Sequence, residues 1–214
     1  MRTVLFIILF ITTIVQAQDP LRFADKVANV QKKYDTLWDA SKETIVFTGS
    51  SSIRVWKNLE HSFQNHQIVN TGFGGSQASD LLAYSEELIL RFKPKTVFIY
   101  EGDNDVFAGK KTKEIITNTL EVIAKIKQQN TETLIILIAA KPSIARWHLK
   151  RHYKRLNRKL KRLTKKDTKI QFADVWRPML NGKNVKTDIF IEDGLHMNAK
   201  GYAIWYDVIK NFIE

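Results

Sequence analysis

Apolar and polar residues follow one another along the chain in blocks whose lengths predict strands and helices in turn. Five short runs, rich in β-branched and aromatic residues, have the length and composition of strands. The runs cover Ile45 to Thr48, Gln67 to Thr71, Thr96 to Tyr100, Thr133 to Ile138 and Ile170 to Asp174. The third run is apolar throughout, as expected of a parallel strand that is covered on both faces.

Between these runs, apolar residues recur at steps of three and four, which predicts amphipathic helices that pack on a sheet. The helices cover about Leu21 to Ala40, a short segment after Ser52, Ala78 to Phe92, Lys113 to Gln128, Arg146 to Leu163 and Ala199 to Ile213. This alternation predicts a doubly wound α/β fold, in which helices cover both faces of a five-stranded parallel sheet. No repeat or linker interrupts it, so we expect one domain over residues 18–214.

The first 17 residues have a composition of their own and are left out of this fold. One basic residue, Arg2, precedes an apolar run that ends in Val15-Gln16-Ala17, a pattern typical of a secretory signal peptide. The alternative is a retained membrane anchor, although the run is shorter than the roughly 20 residues of a spanning helix. We therefore expect an exported protein, periplasmic or secreted, whose mature chain begins near Gln18.

The absence of cysteine excludes disulfides, thiolate metal sites and a cysteine nucleophile. An exported chain without disulfides is held by its core alone, and its 214 residues are enough for one well-buried domain. This composition suits a bacterial periplasm or exterior better than a disulfide-rich eukaryotic secreted domain.

Positive charge is concentrated in one segment, Arg146 to Lys169. The formal net charge of +12 becomes +12 − 1 = +11 once Arg2 is removed with the leader. On a helix the segment has an apolar face and a strongly cationic face, which is either a solvated surface or a contact for an anionic surface, such as lipid headgroups or an acidic polysaccharide. No recognised nucleic-acid-binding fold is visible, so no nucleic-acid partner is expected.

Small and polar residues directly follow the predicted strands. Ser51 follows the first strand, Gly75 the second and Asn104 the third, while Asp193 and His196 lie near the end of the chain. The carboxyl ends of parallel strands share one edge of a sheet, so these residues should meet in one cleft. Taken alone, the serine turn could simply cap the following helix.

The residue types at this edge fit acyl transfer. A serine hydroxyl needs a base, for which His196 is the candidate, and a carboxylate such as Asp193 holds the imidazole in the required tautomer. The backbone amides of Ser51 and Gly75 and the side-chain amide of Asn104 could stabilise an oxyanion. The other four histidines lie in predicted helices or loops, so we expect them to be solvated or to serve in packing; they are His61, His66, His148 and His152.

Four sequence blocks in this order resemble the SGNH hydrolases, also called GDSL esterases and lipases. The blocks are Gly49-Ser50-Ser51, Asn70-Thr71-Gly72-Phe73-Gly74-Gly75, Gly102-Asp103-Asn104-Asp105 and Asp193-Gly194-Leu195-His196. The resemblance implies a flavodoxin-like three-layer α/β/α sandwich and ester hydrolysis through an acyl-serine, without metal or cofactor.

The resemblance also assigns roles to individual residues. It implies Ser51 as nucleophile, Asp193 and His196 as the rest of the triad, and Ser51, Gly75 and Asn104 as oxyanion donors, with Gly74 as the neighbouring alternative to Gly75. The chain departs from the family pattern at Ser50, where the family has aspartate, and at Ser52, where leucine is absent. Neither position belongs to the triad.

The sequence therefore predicts a serine esterase that removes a short acyl group, above all acetyl, from a carbohydrate or similar small polar ester. No long apolar lid is evident that would shelter a fatty chain. One alternative is a lysophospholipase or thioesterase that acts at an anionic membrane surface. Another is a non-catalytic ligand-binding module, which would have no need of the base and nucleophile pair.

Overall fold

Five strands form one parallel sheet in the computed structural model, which describes residues 19–213; the predicted signal peptide lies outside them. The strands are β1 (Thr44–Gly49), β2 (Gln67–Asn70), β3 (Thr96–Tyr100), β4 (Leu134–Ile138) and β5 (Ile170–Ala173). Their order across the sheet is β2-β1-β3-β4-β5, and every neighbouring pair is parallel. The predicted five-stranded sheet is confirmed, with each boundary within one residue of the prediction.

The α-helices of the described residues connect these strands. They are α1 (Ala24–Leu37), α2 (Ser51–Arg54), α3 (Leu59–Ser62), α4 (Ala78–Ala83), α5 (Ser85–Leu88), α6 (Asp103–Phe107), α7 (Thr112–Gln129), α8 (Lys150–Leu163) and α9 (Ala199–Ile209). Short 3₁₀ turns cover Pro20–Phe23, Leu90–Phe92, Trp147–Leu149 and Lys210–Phe212.

Helices lie on both faces of the sheet, which confirms the predicted three-layer α/β/α fold. On one face, α1, α4, α5, α7 and α8 pack side by side. On the other face, the segments around α2, α3 and α9 share an aromatic cluster, in which the Trp56 ring contacts Trp205 and the Phe63 ring contacts Tyr206.

The centre of the sheet is fixed by an aromatic pair across β1 and β3. Phe47 and Phe98 are register partners, fully buried, and their rings stack with centroids 4.3 Å apart. Burying each such side chain contributes about 1.5–3 kcal/mol to folding. The same register pairs Gly49 with Tyr100, so the two strands end at the same level. The loops that follow β1 and β3 therefore begin side by side.

The structure differs from the sequence prediction between Ala78 and Phe92, where one helix was expected. The segment is divided into α4, α5 and a 3₁₀ turn, because Tyr84 and Ile89 leave the helical dihedral region. The Ser85 hydroxyl donates to the Leu82 carbonyl and so competes for the backbone, which is a common reason for a helix to break at serine. A small hairpin, β6 (Leu180–Asn181) with β7 (Asn184–Val185), was also not predicted.

We predict that Gly49→Ala disrupts the junction of β1 and β3. Gly49 has φ +121°, and a Cβ atom would lie 2.0 Å from the Tyr100 carbonyl oxygen. That oxygen also accepts a hydrogen bond from the Ser50 amide at 3.1 Å, so it cannot move away without loss of the register. We expect the free energy of unfolding, measured by denaturant unfolding, to fall by more than the roughly 1–3 kcal/mol that an unfavourable backbone conformation alone would cost.

Gly109→Ala is the matched control. Gly109 also has a positive φ, +77°, but nothing lies within 4 Å of an added Cβ atom. Equal losses of stability in the two variants would contradict the steric argument.

Candidate active site

Ser51 begins α2 immediately after the strand β1 ends. Gly49 turns the chain, Ser50 stays extended (φ −78°, ψ −170°), and the Ser50 carbonyl accepts the amides of Ile53 and Arg54. Ser50 holds the N-cap position, but its side chain makes no capping hydrogen bond. The serines are thus not explained as a simple helix cap, since the Ser50 and Ser51 hydroxyls bond to distant side chains.

The structure brings Ser51, His196 and Asp193 into one chain of hydrogen bonds. His196 Nε2 lies 2.9 Å from Ser51 Oγ, and His196 Nδ1 lies 2.5 Å from Asp193 Oδ2. Asp193 Oδ1 accepts the backbone amides of Leu195 and His196, both at 2.8 Å. The carboxylate is therefore fixed by its own turn and can orient the imidazole toward the serine.

A tight turn before α9 carries both of these residues. The Gly194 amide donates to the Ile191 carbonyl, and the Ala145 amide donates to the Gly194 carbonyl at 3.1 Å. Gly194 has φ +61°, and a Cβ atom there would lie 3.1 Å from Ile144 Cβ. The Asn198 side chain caps α9 by accepting the amides of Lys200 and Gly201. The turn is thus held on both sides of His196.

Asp193 is an anion over the whole physiological range. Partial burial favours its neutral form, but hydrogen bonds from His196 and from the amides of Leu195 and His196 outweigh that effect and lower its pKa to about 2. A fixed negative charge beside Nδ1 favours the tautomer that leaves Nε2 free to accept a proton from Ser51.

Asn104 ties three loops together. Its amide Nδ2 donates to Ser50 Oγ at 2.7 Å and to the Ser76 carbonyl at 2.8 Å, while its Oδ1 accepts Arg146 Nη1 at 3.1 Å. Asn104 thereby joins the loops after β1 and β2 to its own loop after β3. Both N–H groups are used within the protein, so an oxyanion would have to compete for one of them.

Gly75 is better placed than Gly74 to face a ligand. Nothing lies within 4 Å of a Cβ atom built on Gly75, whereas one built on Gly74 would lie 2.8 Å from Arg54 Nε. Within residues 19–213, neither the amide of Ser51 nor that of Gly75 donates a hydrogen bond. Two of the predicted oxyanion donors are therefore unoccupied.

A buried ion network that sequence reasoning missed supports Asn104. We expected Arg146 on the cationic face of a helix, but it precedes α8, is only 9% exposed, and donates to Asp103 Oδ1 at 2.6 Å as well as to Asn104. The helical pattern did not reveal this, because buried and exposed arginines look alike in a sequence. The expectation that Arg146 is a surface residue was wrong.

Asp103 is the centre of this network. It accepts the hydroxyls of Tyr153 at 2.6 Å and Tyr100 at 3.0 Å, and Lys141 Nζ lies 3.8 Å away. Burial favours the neutral acid, but Lys141 and Arg146 outweigh it and lower the pKa of Asp103. The fully buried Lys141 ammonium, whose pKa burial lowers, donates to the Leu195 carbonyl at 2.7 Å. The network therefore connects Asn104 with the turn that carries His196.

A second group of buried carboxyls lies behind the glycine turn. Glu101 accepts the Ser76 hydroxyl at 2.6 Å, Asp105 accepts the Ala78 amide at 3.1 Å, and Asp80 pairs with Arg22 at 2.8 Å. Burial, and then the neighbouring Asp105, raise the pKa of Glu101 well above its usual value. Burial likewise raises the pKa of Asp105 to about 6. These carboxyls hold the segment that directly follows Gly75.

A cavity of about 700 Å³ opens beside His196, on the α9 side of the sheet. Its lining combines aromatic, cationic and apolar groups, among them Trp56, Tyr202, Arg54, Lys57 and Ile191. Trp56 and Tyr202 stack with centroids 5.2 Å apart, and the Tyr202 hydroxyl donates to the Ser52 carbonyl. The cavity is thus rigidly attached to the serine turn.

Over residues 19–213, no group of three or more His, Cys, Asp or Glu side chains could hold a metal ion. In the same residues no helix has the length and apolar character needed to cross a membrane. The other histidines are all exposed, as expected of solvated residues; they are His61, His66, His148 and His152.

Comparison with known proteins agrees with this geometry. Residues 34–204 match the GDSL-like Lipase/Acylhydrolase family. None of the curated proteins matches the chain.

Solved structures with the same fold include several acylhydrolases. An acylhydrolase from Bacteroides fragilis has a TM-score of 0.74 at 22% identity, covering 92% of this chain and 98% of its own. A GDSL-like lipase from Bacteroides thetaiotaomicron has a TM-score of 0.73 at 22% identity, and the match covers 91% of this chain and 97% of the lipase. An acetylxylan esterase from Geobacillus stearothermophilus has a TM-score of 0.68 at 18% identity, covering 80% and 94%.

We predict that Arg146→Met lowers the kcat of ester hydrolysis by about 10- to 100-fold with little change in KM, because Asn104 loses the group that orients its amide. Stability also falls, since Asp103 is left as a buried charge with fewer partners. Arg155→Met, which removes an exposed arginine of α8, is the control and should keep full activity.

Arg146→Lys separates positioning from folding. It keeps a cation beside Asp103 and so should restore most of the stability, but the ammonium lacks the planar guanidinium that bonds both Asp103 and Asn104, so kcat should stay low. Recovery of kcat together with stability would contradict a positioning role for Arg146.

We predict that Asp105 makes the protein less stable as pH rises from about 4 to about 6. The unfolded carboxyl loses its proton near its model value of 3.8, while the folded carboxyl keeps it to about 6. The folded state binds more protons in this window, so the free energy of unfolding falls as pH rises. An asparagine side chain does not titrate, so as pH rises across this window the free energy of unfolding of Asp105→Asn should increase by up to about 3 kcal/mol relative to that of the parent. A difference that does not change with pH would refute this assignment.

Proposed function

We propose that this chain, which belongs to the GDSL-like lipase/acylhydrolase family, hydrolyses short-chain acyl esters, above all acetyl esters of a carbohydrate or similar small polar alcohol. The observation that carries the proposal is the chain of contacts from Ser51 Oγ through His196 to Asp193, at 2.9 and 2.5 Å. We further propose that the protein acts outside the cytoplasm, on the basis of its first 17 residues.

In the first half-reaction, Ser51 Oγ attacks the ester carbonyl while His196 Nε2 takes its proton. The negative charge of Asp193 stabilises the imidazolium that forms. The carbonyl oxygen becomes an oxyanion, which the free amides of Ser51 and Gly75 and one N–H of Asn104 stabilise. This assigns a role to each group predicted from the sequence.

The imidazolium then protonates the leaving alcohol oxygen, so the alcohol must lie on the His196 side. The cavity of about 700 Å³ is on that side, and its lining offers aromatic rings and cations that can bind a sugar ring beside its apolar groups. Water, activated by the same imidazole, hydrolyses the acyl-serine and restores Ser51.

One of the similar structures supports the acetyl preference. The acetylxylan esterase from Geobacillus stearothermophilus was solved as catalytic mutants of one serine, one aspartate and one histidine. Its aspartate and histidine are three positions apart, as Asp193 and His196 are. We extend its substrate class to this chain as a proposal.

We predict that Ser51→Ala lowers kcat on p-nitrophenyl acetate by about 10⁶-fold, since the nucleophile is lost. Asn104→Ala should cost only about 10²- to 10³-fold, because the two backbone donors remain. Ser52→Ala, the neighbouring serine, is the control and should keep its turnover. Equal, mild losses of kcat in Ser51→Ala and Ser52→Ala would contradict the assignment of Ser51 as the nucleophile.

The same assay over esters from acetate to long acyl chains tests the substrate class. Turnover that peaks at acetate supports the proposal. Turnover that rises with acyl length would instead favour a lysophospholipase or thioesterase.

A further inference from the structure

A second cavity, of about 690 Å³, lies away from the triad, between α8 and the segment that follows β5. We call it the α8 groove and define it by four cations of α8 with Trp176 and Arg177 of the opposite wall. The four cations are Arg151, Lys154, Arg158 and Lys161.

The four α8 cations of this groove have no acidic partner among the described residues. Of the ion pairs among residues 19–213, none involves any of the four α8 cations, and α8 itself contains no acidic residue. The one carboxylate in the lining, Asp174, lies 3.4 Å from Arg177 Nε. The groove therefore carries a large uncompensated positive charge.

These cations form a continuous row. They are separated by three, four and three residues, so they share one face of the helix at intervals of about 4.5 to 6 Å along its axis. A row of evenly spaced positive charges suits a ligand that carries anionic groups at intervals along its length. It suits a single small anion less well.

The floor of the groove is rigid and partly apolar. The buried Trp176 ring stacks with Trp147 at 6.0 Å and with Tyr153 at 6.2 Å. Asn157 is turned inward, where its side chain exchanges two 2.9 Å hydrogen bonds with the Ala140 backbone. An extended ligand would therefore bind to a preformed surface, and few protein side chains of the floor would have to be reordered.

The groove begins close to the candidate active site. Arg146, whose guanidinium bonds Asn104, is five residues before Arg151, the first cation of the row. At about 1.5–2 Å per residue, the intervening turn covers roughly 10 Å. A polymer long enough to lie in the groove could therefore also reach the neighbourhood of Ser51.

We propose that the α8 groove binds an acidic polysaccharide, a chain that carries a carboxylate on successive sugars. The inference rests on the proposed function and deepens it, because it makes the esterified carbohydrate a polyanion of which one part lies in the groove while an acetyl ester reaches Ser51. Charge complementarity supplies the attraction.

A membrane surface fits the groove less well. Peripheral membrane binding combines cations with apolar side chains that insert into the lipid. The exposed large apolar side chains of the described residues lie elsewhere, at Leu21, Leu37, Phe107, Leu120, Ile144 and Ile191. The groove is also concave, whereas a bilayer presents a flat surface.

The test measures binding of polygalacturonate to the mature protein carrying Ser51→Ala, with dextran as the neutral polymer and phosphatidylglycerol vesicles as the anionic membrane. We expect saturable binding of polygalacturonate, weakened by salt, and little binding of dextran. Lys154→Glu with Lys161→Glu should raise the Kd at least about tenfold.

Lys32→Glu with Lys125→Glu is the matched control. Both lysines are exposed, lie on helices and lack an ion pair among the described residues, and the net charge changes equally. The control should change the Kd no more than about twofold. Equal weakening in both double variants, no binding of polygalacturonate, or tighter binding to the vesicles would each overturn the proposal.

Two activities separate this inference from the proposed function. With Ser51 restored, Lys154→Glu with Lys161→Glu should leave turnover of p-nitrophenyl acetate unchanged but lower kcat/KM on acetylated polygalacturonate at least about tenfold. An unchanged kcat/KM on the polymer would overturn the groove inference alone. If the parent hydrolyses neither ester, the proposed function fails, even if the polymer binds.

Discussion

The ion pair between Asp103 and Arg146 is the interaction on which the site depends. A buried carboxylate is unfavourable unless cations and hydrogen-bond donors surround it, and Asp103 has two of each, from Arg146, Lys141, Tyr100 and Tyr153. Arg146 then fixes Asn104, and Lys141 fixes the carbonyl of Leu195 beside His196. One charge thus aligns parts of the site that come from the middle and the end of the chain.

The fold contributes the other constraint, which is the level at which the strands end. Since Gly49 and Tyr100 are register partners, the loops with Ser51 and Asn104 start next to each other. The aromatic stack of Phe47 on Phe98 fixes that register from within the sheet. Core packing and site geometry are therefore two consequences of the same strand pairing.

The sequence was sufficient to predict the elements whose apolar residues repeat with a clear period, and the residues that lie at strand ends. It predicted the five strands from the length and composition of the apolar runs, and it placed Ser51 and Asn104 at strand ends. Asp193 and His196 follow no strand of the sheet and were assigned through the four-block resemblance. It could not predict the roles of Arg146 and Lys141, because a buried cation differs from an exposed one only in its distant partners. The break at Tyr84 was missed for a similar reason, since the apolar period continues across it.

The hydrogen bond from Asn104 to Ser50 has a consequence for how binding energy is used. In the resting protein this N–H is held at 2.7 Å by a hydroxyl, a weaker acceptor than the carboxylate of aspartate. A neutral ester carbonyl gains little by displacing that hydroxyl, whereas a full oxyanion gains much more. In the proposed reaction this exchange would be favourable only as charge develops, so Asn104 would stabilise the transition state without tightening the ground state.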